Sequence, residues 1–435
     1  MKAREAAVRA LLACEQRGAW SDAYLNGLFD RENPDRREAA LAYRISAGVL
    51  QNREACDWYL QPYLRGKLQN TVRAILRSAV YQVAFMDRVP VSAAVNEAVE
   101  LAKHMANPGA ARMVNAVLRR VTEKPLPPLP QGDDPASIAV RFSHPQPWVE
   151  YFLSFLGPEK TKRMLTLNNQ PAPVSFRVNR LKAAPEEAAE ALKKDGVEAL
   201  PSVLAGFYQA DNPGDVASLR AFRDGLVTVQ DPAAALPVFA AGARPGMEVL
   251  DCCAAPGGKS FLLAEQMENR GSILSCDLHG NKLHRIEEGA ERLGIGMIDT
   301  LTADASKPLA AMKGRFDLVL ADVPCSGLGV IRKKPEIRYK TREQVSPLPE
   351  TQLAILEGAA ACLKKGGVLV YSTCTLLREE NEGVTDAFLA RHPEFRREAF
   401  LLPAPFGRSE DGQRTIWPFE YETDGFYLCR MRKKT

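Results

Sequence analysis

No stretch of this chain stays apolar for anything near the ~20 residues that a bilayer-spanning helix requires. The first residues, MKAREAAVRALLACEQRG, form a charged helical pattern without a signal-peptide cleavage site, so the expectation is a cytoplasmic protein with no membrane partner. Paired-cysteine spacing is missing as well. The nine cysteines are an odd number, scattered, with neither CxxC nor Cys/His ligand spacing, which disfavours both a disulfide framework and a metal site. Strong charge imbalance is absent overall, at a net +4, yet residues 1–125 hold 19 Lys and Arg against 13 Asp and Glu, and the remainder holds 38 against 40. The basic first part suits a phosphate-rich partner or an ordinary solvated helical surface.

What is present is globular. Hydrophobic residues make up 46% and charged residues 25% of 435 residues. One hydrophobic core usually stops growing at roughly 250 to 300 residues, so a multidomain chain is expected. Residues 1–124 read as all-α, with apolar residues at three and four positions, as in Val72, Ile75, Leu76, Ala79 and Val83. Residues 125–135 lie in KPLPPLPQGDDP, whose five prolines cannot continue a helix and mark a linker. Residues 136–231 read as a small α+β segment with strands in VSFRVNRL and LVTVQD and a helix in EEAAEALKKDG. From 232 to 435, apolar strands alternate with amphipathic helices: EVLDCC, SILSCD, MIDTLTAD, FDLVLAD, GVLVYST and finally FYLCRM. That alternation predicts an α/β Rossmann-like parallel sheet covered on both faces, with ligands at the carboxyl ends of its strands.

The first turn of this sheet runs Ala254-Ala255-Pro256-Gly257-Gly258-Lys259-Ser260 after Asp251-Cys252-Cys253. Two glycines let the backbone approach a ligand, and a following helix offers free N–H groups. The dinucleotide fingerprint G-x-G-x-x-G is absent, and a P-loop would need glycine where Cys253 stands. What remains is an adenosine-type ligand without a phosphate chain. Asp277 closes the second strand, where it could accept ribose hydroxyls, Asp304 follows the third, where it could meet an adenine amino group, and Asp322 ends the fourth. Any one of them could instead cap the turn after it.

The motifs A-A-P-G-G-K, D-V-P-C-S-G-L-G-V-I-R-K-K-P-E-I and Y-S-T-C-T resemble the RNA cytosine-C5 methyltransferases of the NOL1/NOP2/Sun family. R-F-S-H-P-Q-P-W at 141–148 and V-Q-D-P at 229–232 extend the likeness to bacterial members over essentially the whole chain. The resemblance implies a NusB-like RNA-binding helical bundle, a small middle segment and a class I methyltransferase sheet of seven strands with the last antiparallel. It also implies S-adenosylmethionine as cofactor, bound by 254–260, Asp277, Asp304 and Asp322, and 16S rRNA or a partly assembled small subunit as partner, with no obligate protein partner. A different RNA such as tRNA, or an inert assembly factor, are the competing readings.

Carbon 5 of cytosine is a poor nucleophile until a thiolate adds at carbon 6. The sequence places Cys325 after the fourth strand and Cys374 after the fifth, and adjacent parallel strands lie ~5 Å apart, so both thiols could face one ring. By resemblance Cys374 is the nucleophile, Cys325 assists release of the adduct, Asp322 meets ring nitrogen 3 and Lys259 pairs with Asp322. Cys14, Cys56, Cys252, Cys253, Cys276, Cys362 and Cys429 read as small buried hydrophobes. The basic run Arg332, Lys333, Lys334, Arg338, Lys340 and Arg342 reads as a grip for RNA phosphates or a solvated loop, with Tyr339 available for stacking. Thr423-Asp424-Gly425-Phe426 resembles a family motif, but Tyr421 stands where members commonly carry histidine; a tight turn into the last strand suffices to explain Asp424-Gly425.

Overall fold

The computed structural model describes residues 2–307 and 310–435, and the chain divides into two compact units. The first runs to Gln170 and also takes in Ile331–Tyr339; the second comprises Pro171–Val330 and Lys340–Thr435.

The first unit is all-α, built from Ala3–Arg17, Ser21–Glu32, Arg36–Gln51, Arg53–Leu60, Asn70–Phe85, Val91–Met105 and Pro108–Val121, and then Pro135–Phe142 and Gln146–Asn168. The helical spacing read in the sequence is the buried stripe: Val72, Ile75, Leu76 and Ala79 all lie in its core. Gln146–Asn168 breaks at Gly157, whose φ of 74° only glycine adopts readily, just before Pro158. Arg77, on the same helix, is buried and bridges Glu15 and Asp57.

Residues 331–339 fold with this unit although the chain on either side of them belongs to the other. Here the expectation of an RNA-gripping or solvated loop fails for Arg338 and Tyr339. Arg338 is fully buried and donates to the carbonyls of Gln51 (3.0 Å), Ser143 (2.9 Å) and Asn168 (3.3 Å) and to Asn169 Oδ1 (2.9 Å). Burial pushes its guanidinium down to about 10. Tyr339 does not stand free for stacking on a base: its hydroxyl donates to the Leu50 carbonyl (2.7 Å) and its ring is covered by Arg53. Lys334 pairs with Asp22 (2.5 Å), and Glu336 accepts from the Ser21 N–H (2.9 Å). Lys333 remains exposed and Arg332 partly so.

The second unit carries a four-stranded antiparallel sheet in the order Leu200–Pro201, Phe207–Ala210, Val174–Val178, Val227–Val229. Its larger sheet is built from β1 (Glu248–Asp251), β2 (Ser272–Asp277), β3 (Ile298–Thr302), β4 (Phe316–Asp322), β5 (Leu363–Thr373), β6 (Phe395–Arg397), β7 (Gln413–Ile416) and β8 (Phe426–Lys433). The order is β3-β2-β1-β4-β5-β8-β6, with β7 also paired to β8. Strands β1 to β5 are parallel, and β8 runs antiparallel to β5, β6 and β7. Among the described residues the sheet therefore has eight strands rather than seven; β6 and β7 are too short to register as alternation in the sequence. Leu318 to Ala321 and Leu369 to Tyr371 are buried on both faces, as their unbroken apolar runs require.

Arg338 lends itself to a direct check. Replacing it with Met orphans several buried carbonyls at ~1–3 kcal/mol each, so Arg338→Met should cost the first unit about 3 kcal/mol or more. Urea unfolding followed by hydrogen exchange in residues 36–51 reads this. An unchanged midpoint together with weakened RNA binding would restore the phosphate-gripping role.

Candidate active site

Each parallel strand ends at the same edge of the sheet, and the sequence-predicted residues gather there. After β1 the chain turns through Ala254, whose N–H donates to the Cys276 carbonyl (2.8 Å), and Ala255, whose N–H reaches Asp277 Oδ2 (3.3 Å). Gly257 has φ 109°, and a Cβ there would lie 2.5 Å from the Phe261 ring, so glycine is required twice over. The helix Gly258–Gln266 begins with no side-chain cap, leaving its first N–H groups to a ligand.

Ser260, expected to meet the cofactor, is fully buried: its hydroxyl donates to Asp251 Oδ2 (2.7 Å) and accepts from Ser275 (2.9 Å). It holds the loop to β1 and β2. Pro256 is exposed on the loop, while Ala255, Gly258 and Lys259 are partly exposed. Asp277 Oδ1 accepts from the His279 N–H (2.9 Å), and the neighbouring Leu278 is 59% exposed, an apolar surface beside a carboxylate. Asp304 accepts from Ser306 and pairs with Lys307 (3.0 Å), interactions that hold its carboxyl below the ordinary aspartate range. An uncapped helix start suited to a carboxylate, an acid at the end of β2 suited to ribose hydroxyls, and exposed leucine suited to a purine face together fit S-adenosylmethionine.

Asp322, at the end of β4, takes both its oxygens into bonds. Oδ2 meets Lys259 Nζ at 2.6 Å, and Oδ1 accepts from Ser372 Oγ at 2.7 Å. Burial alone would lower the Lys259 ammonium, but Asp322 beside it, with Asp251 and Cys374, raises it. The pairing of Asp322 with Ser372 in register sends two loops off the sheet side by side. Cys325 and Cys374, both half-buried, meet with their sulfurs 3.3 Å apart. A hydrogen bond with Cys374, then burial, then the charges of Glu380 and Asp322 hold the Cys325 thiol well above its ordinary range.

Of the other cysteines, Cys56, Cys252, Cys276, Cys362 and Cys429 are buried as expected, whereas Cys14 and Cys253 are only partly so. Among the basic residues, Lys340 donates to the Ser326 carbonyl (2.7 Å) and so braces the residue after Cys325. Gly425 is more than a turn: its N–H donates to the Gly329 carbonyl (2.8 Å), whose own N–H donates to the Cys374 carbonyl (2.9 Å). A Cβ on Gly329 would sit 2.1 Å from the Gly425 oxygen. Tyr421 packs on Phe406 and accepts from Arg414 (3.0 Å). Ser326, Ser372 and Thr375 lie within the quoted motifs without a role of their own there, and sequence reasoning missed Gln352 and Glu380, ordinary polar residues outside any motif.

Asp251 sits beneath this loop, fully buried, with Oδ1 meeting no donor. Burial, opposed by the Ser260 bond, pushes its carboxyl from 3.8 up to about 7. A native state that holds the proton more tightly than the unfolded chain loses stability as pH rises from about 4 to about 7, here on the order of 4 kcal/mol at ~1.36 kcal/mol per pKa unit. Asp251→Asn has no such proton to lose. Between about pH 5 and 8 its urea midpoint should fall less than that of the parent chain; identical pH slopes would refute the assignment.

Comparison with known proteins agrees with this geometry. Residues 241–432 match the 16S rRNA methyltransferase RsmB/F family model, residues 1–123 the NusB family, and residues 144–206 the RsmF/B-like ferredoxin-like domain. The chain is 37% identical to the probable ribosomal RNA small subunit methyltransferase B of Bacillus subtilis, covering 99% of this chain and 98% of that one. It is 31% identical to the similarly named protein of Synechocystis over the full length of both. The crystal structure of PH0851 superposes with a TM-score of 0.84 at 28% identity, covering 99% and 98% of the two chains. A methyltransferase homolog from Pyrococcus horikoshii gives 0.58 at 28% identity over 68% of this chain and 97% of its own. Matched along essentially its entire length, the chain belongs to the ribosomal RNA small subunit methyltransferase B family.

Proposed function

We propose that this methyltransferase places its methyl group on carbon 5 of a cytosine in 16S rRNA, through a covalent bond between Cys374 and carbon 6 of that base. The observation that carries the reading is the 3.3 Å separation of the Cys325 and Cys374 sulfurs, beside an aspartate tied to lysine. S-adenosylmethionine, the methyl donor, supplies an electrophilic methyl on a sulfonium when bound against residues 254–259, Asp277 and Asp304.

The residues divide the work as follows. Cys325 is the sulfur held as a thiol, and Cys374, 3.3 Å from it, is the one that attacks. The Cys374 thiolate adds to carbon 6. As the ring takes up that electron pair, the Lys259 ammonium, which donates to Asp322, is the proton source for nitrogen 3 through that aspartate. Carbon 5, now an enamine carbon, takes the methyl. Cys325, whose sulfur lies 3.3 Å from that of Cys374, then assists release of the adduct by taking the carbon-5 proton. The double bond re-forms, Cys374 leaves as thiolate, the nitrogen-3 proton returns to the Asp322–Lys259 pair, and S-adenosylhomocysteine is left as the neutral thioether product. A cytosine must leave its stack to reach these sulfurs, which favours naked or partly assembled rRNA as substrate.

Two substitutions test this with tritiated S-adenosylmethionine and unmodified 16S rRNA. Cys374→Ser should incorporate no label. Cys325→Ala should trap an RNA–protein adduct that survives denaturing electrophoresis. An adduct that requires Cys325 would reverse the roles, label on tRNA but not 16S rRNA would redirect the substrate, and a parent chain that incorporates nothing into any RNA would leave an inert assembly factor.

A further inference from the structure

The helix Glu382–Arg391 follows β5 through a short loop, and the residue two before its start, Glu380, is 1% exposed. A carboxylate so buried needs donors to offset its lost hydration, and it has them. Oε2 accepts from the Ser326 N–H (2.8 Å) and from Gln352 Nε2 (2.8 Å), and Oε1 accepts from Thr375 Oγ1 (3.4 Å). Ser326 and Thr375 are the residues directly after Cys325 and Cys374. Gln352 Nε2 also donates to the Pro324 carbonyl (3.0 Å), the residue directly before Cys325. Ser326 Oγ and Thr375 Oγ1 close the ring at 2.6 Å. The backbone is fixed in the same way: the Tyr371 hydroxyl donates to the Glu380 carbonyl (2.6 Å), and Asn381 accepts from Thr373 Oγ1 (2.6 Å) and donates to the Thr375 carbonyl (3.1 Å).

We propose that Glu380 is a positioning residue: its buried carboxylate clamps the Pro324–Ser326 loop to the Thr373–Thr375 loop and thereby sets the spacing of the two active-site sulfurs. Nothing else among the described residues bonds to the residue after each cysteine at once, apart from the direct hydroxyl pair that the same carboxylate braces. The role in turnover rests on the cytosine-C5 reading above; the role in spacing does not. Glutamine can reproduce the clamp, because its oxygen can replace Oε2 and its amide can donate to Thr375 Oγ1. Alanine cannot.

The experiment uses the full chain and reads spacing without RNA. Diamide oxidises two neighbouring thiols to a disulfide, each giving up its proton while the reagent is reduced to the hydrazine, and peptide mass spectrometry resolves the Cys325–Cys374 product from other pairings. Glu380→Ala should form that disulfide at least about tenfold more slowly and lose about 100-fold in kcat, as misplacement on the ångström scale does. KM for RNA and S-adenosylmethionine binding should stay within about threefold, since the donor residues lie elsewhere, and Glu380→Gln should stay within about threefold of the parent in every measure. Parental disulfide formation in Glu380→Ala overturns the proposal, as does a Gln variant as impaired as Ala, which would make charge rather than position the cause. Should Glu380→Ala lose donor binding through misfolding, Thr375→Val decides: slowed disulfide formation supports the clamp and parental formation overturns it. Slowed disulfide formation in a chain that methylates no cytosine would remove the cytosine reading and leave the clamp standing.

Discussion

The parallel register that runs from Leu318 opposite Val368 to Asp322 opposite Ser372 is the constraint on which the site depends. Two loops leaving adjacent strands at the same height have to lie side by side, and the third residue beyond Asp322 then meets the second beyond Ser372. A slip of one residue would turn every side chain of a strand to the other face of the sheet. The burial of both strands on both faces makes such a slip costly. Precision in the chemistry is thus inherited from apolar packing several residues away.

Charge is arranged around that register with little slack. Lys259 stands among Asp322, Asp251 and Cys374, so one cation faces several groups that are or can become negative. Each acid is held differently: Asp322 by lysine and serine, Glu380 by neutral donors, and Asp251 by a single serine, which leaves its carboxyl favouring the proton.

How much of this was legible in the sequence follows from distance along the chain. The glycine loop, the strand-end aspartates and the two cysteines are local patterns, each a strand followed by a special turn, and the structure gathers them at one edge. Strands β6 and β7 escaped notice because short pairings with β8 leave almost no alternation to see. Within the basic run, Arg338 departs from expectation for a different reason. Arg338 looks like its charged neighbours, yet its acceptors are carbonyls of Gln51, Ser143 and Asn168, and backbone carbonyls leave no mark in a sequence. Ser260 was counted with the cofactor loop by adjacency alone, whereas the helix turn points it inward to Asp251. Glu380 belongs to the same class, an acid in a polar stretch whose partners come from three separate segments.

The excursion of residues 331–339 into the first unit bears on how the molecule is made. A ribosome releases the helices up to Gln170 long before it reaches Ile331, so during synthesis those carbonyls wait with only water for company. The amino-terminal bundle is finished only when a piece of the catalytic half arrives, and expressed alone it would be a body lacking its own plug.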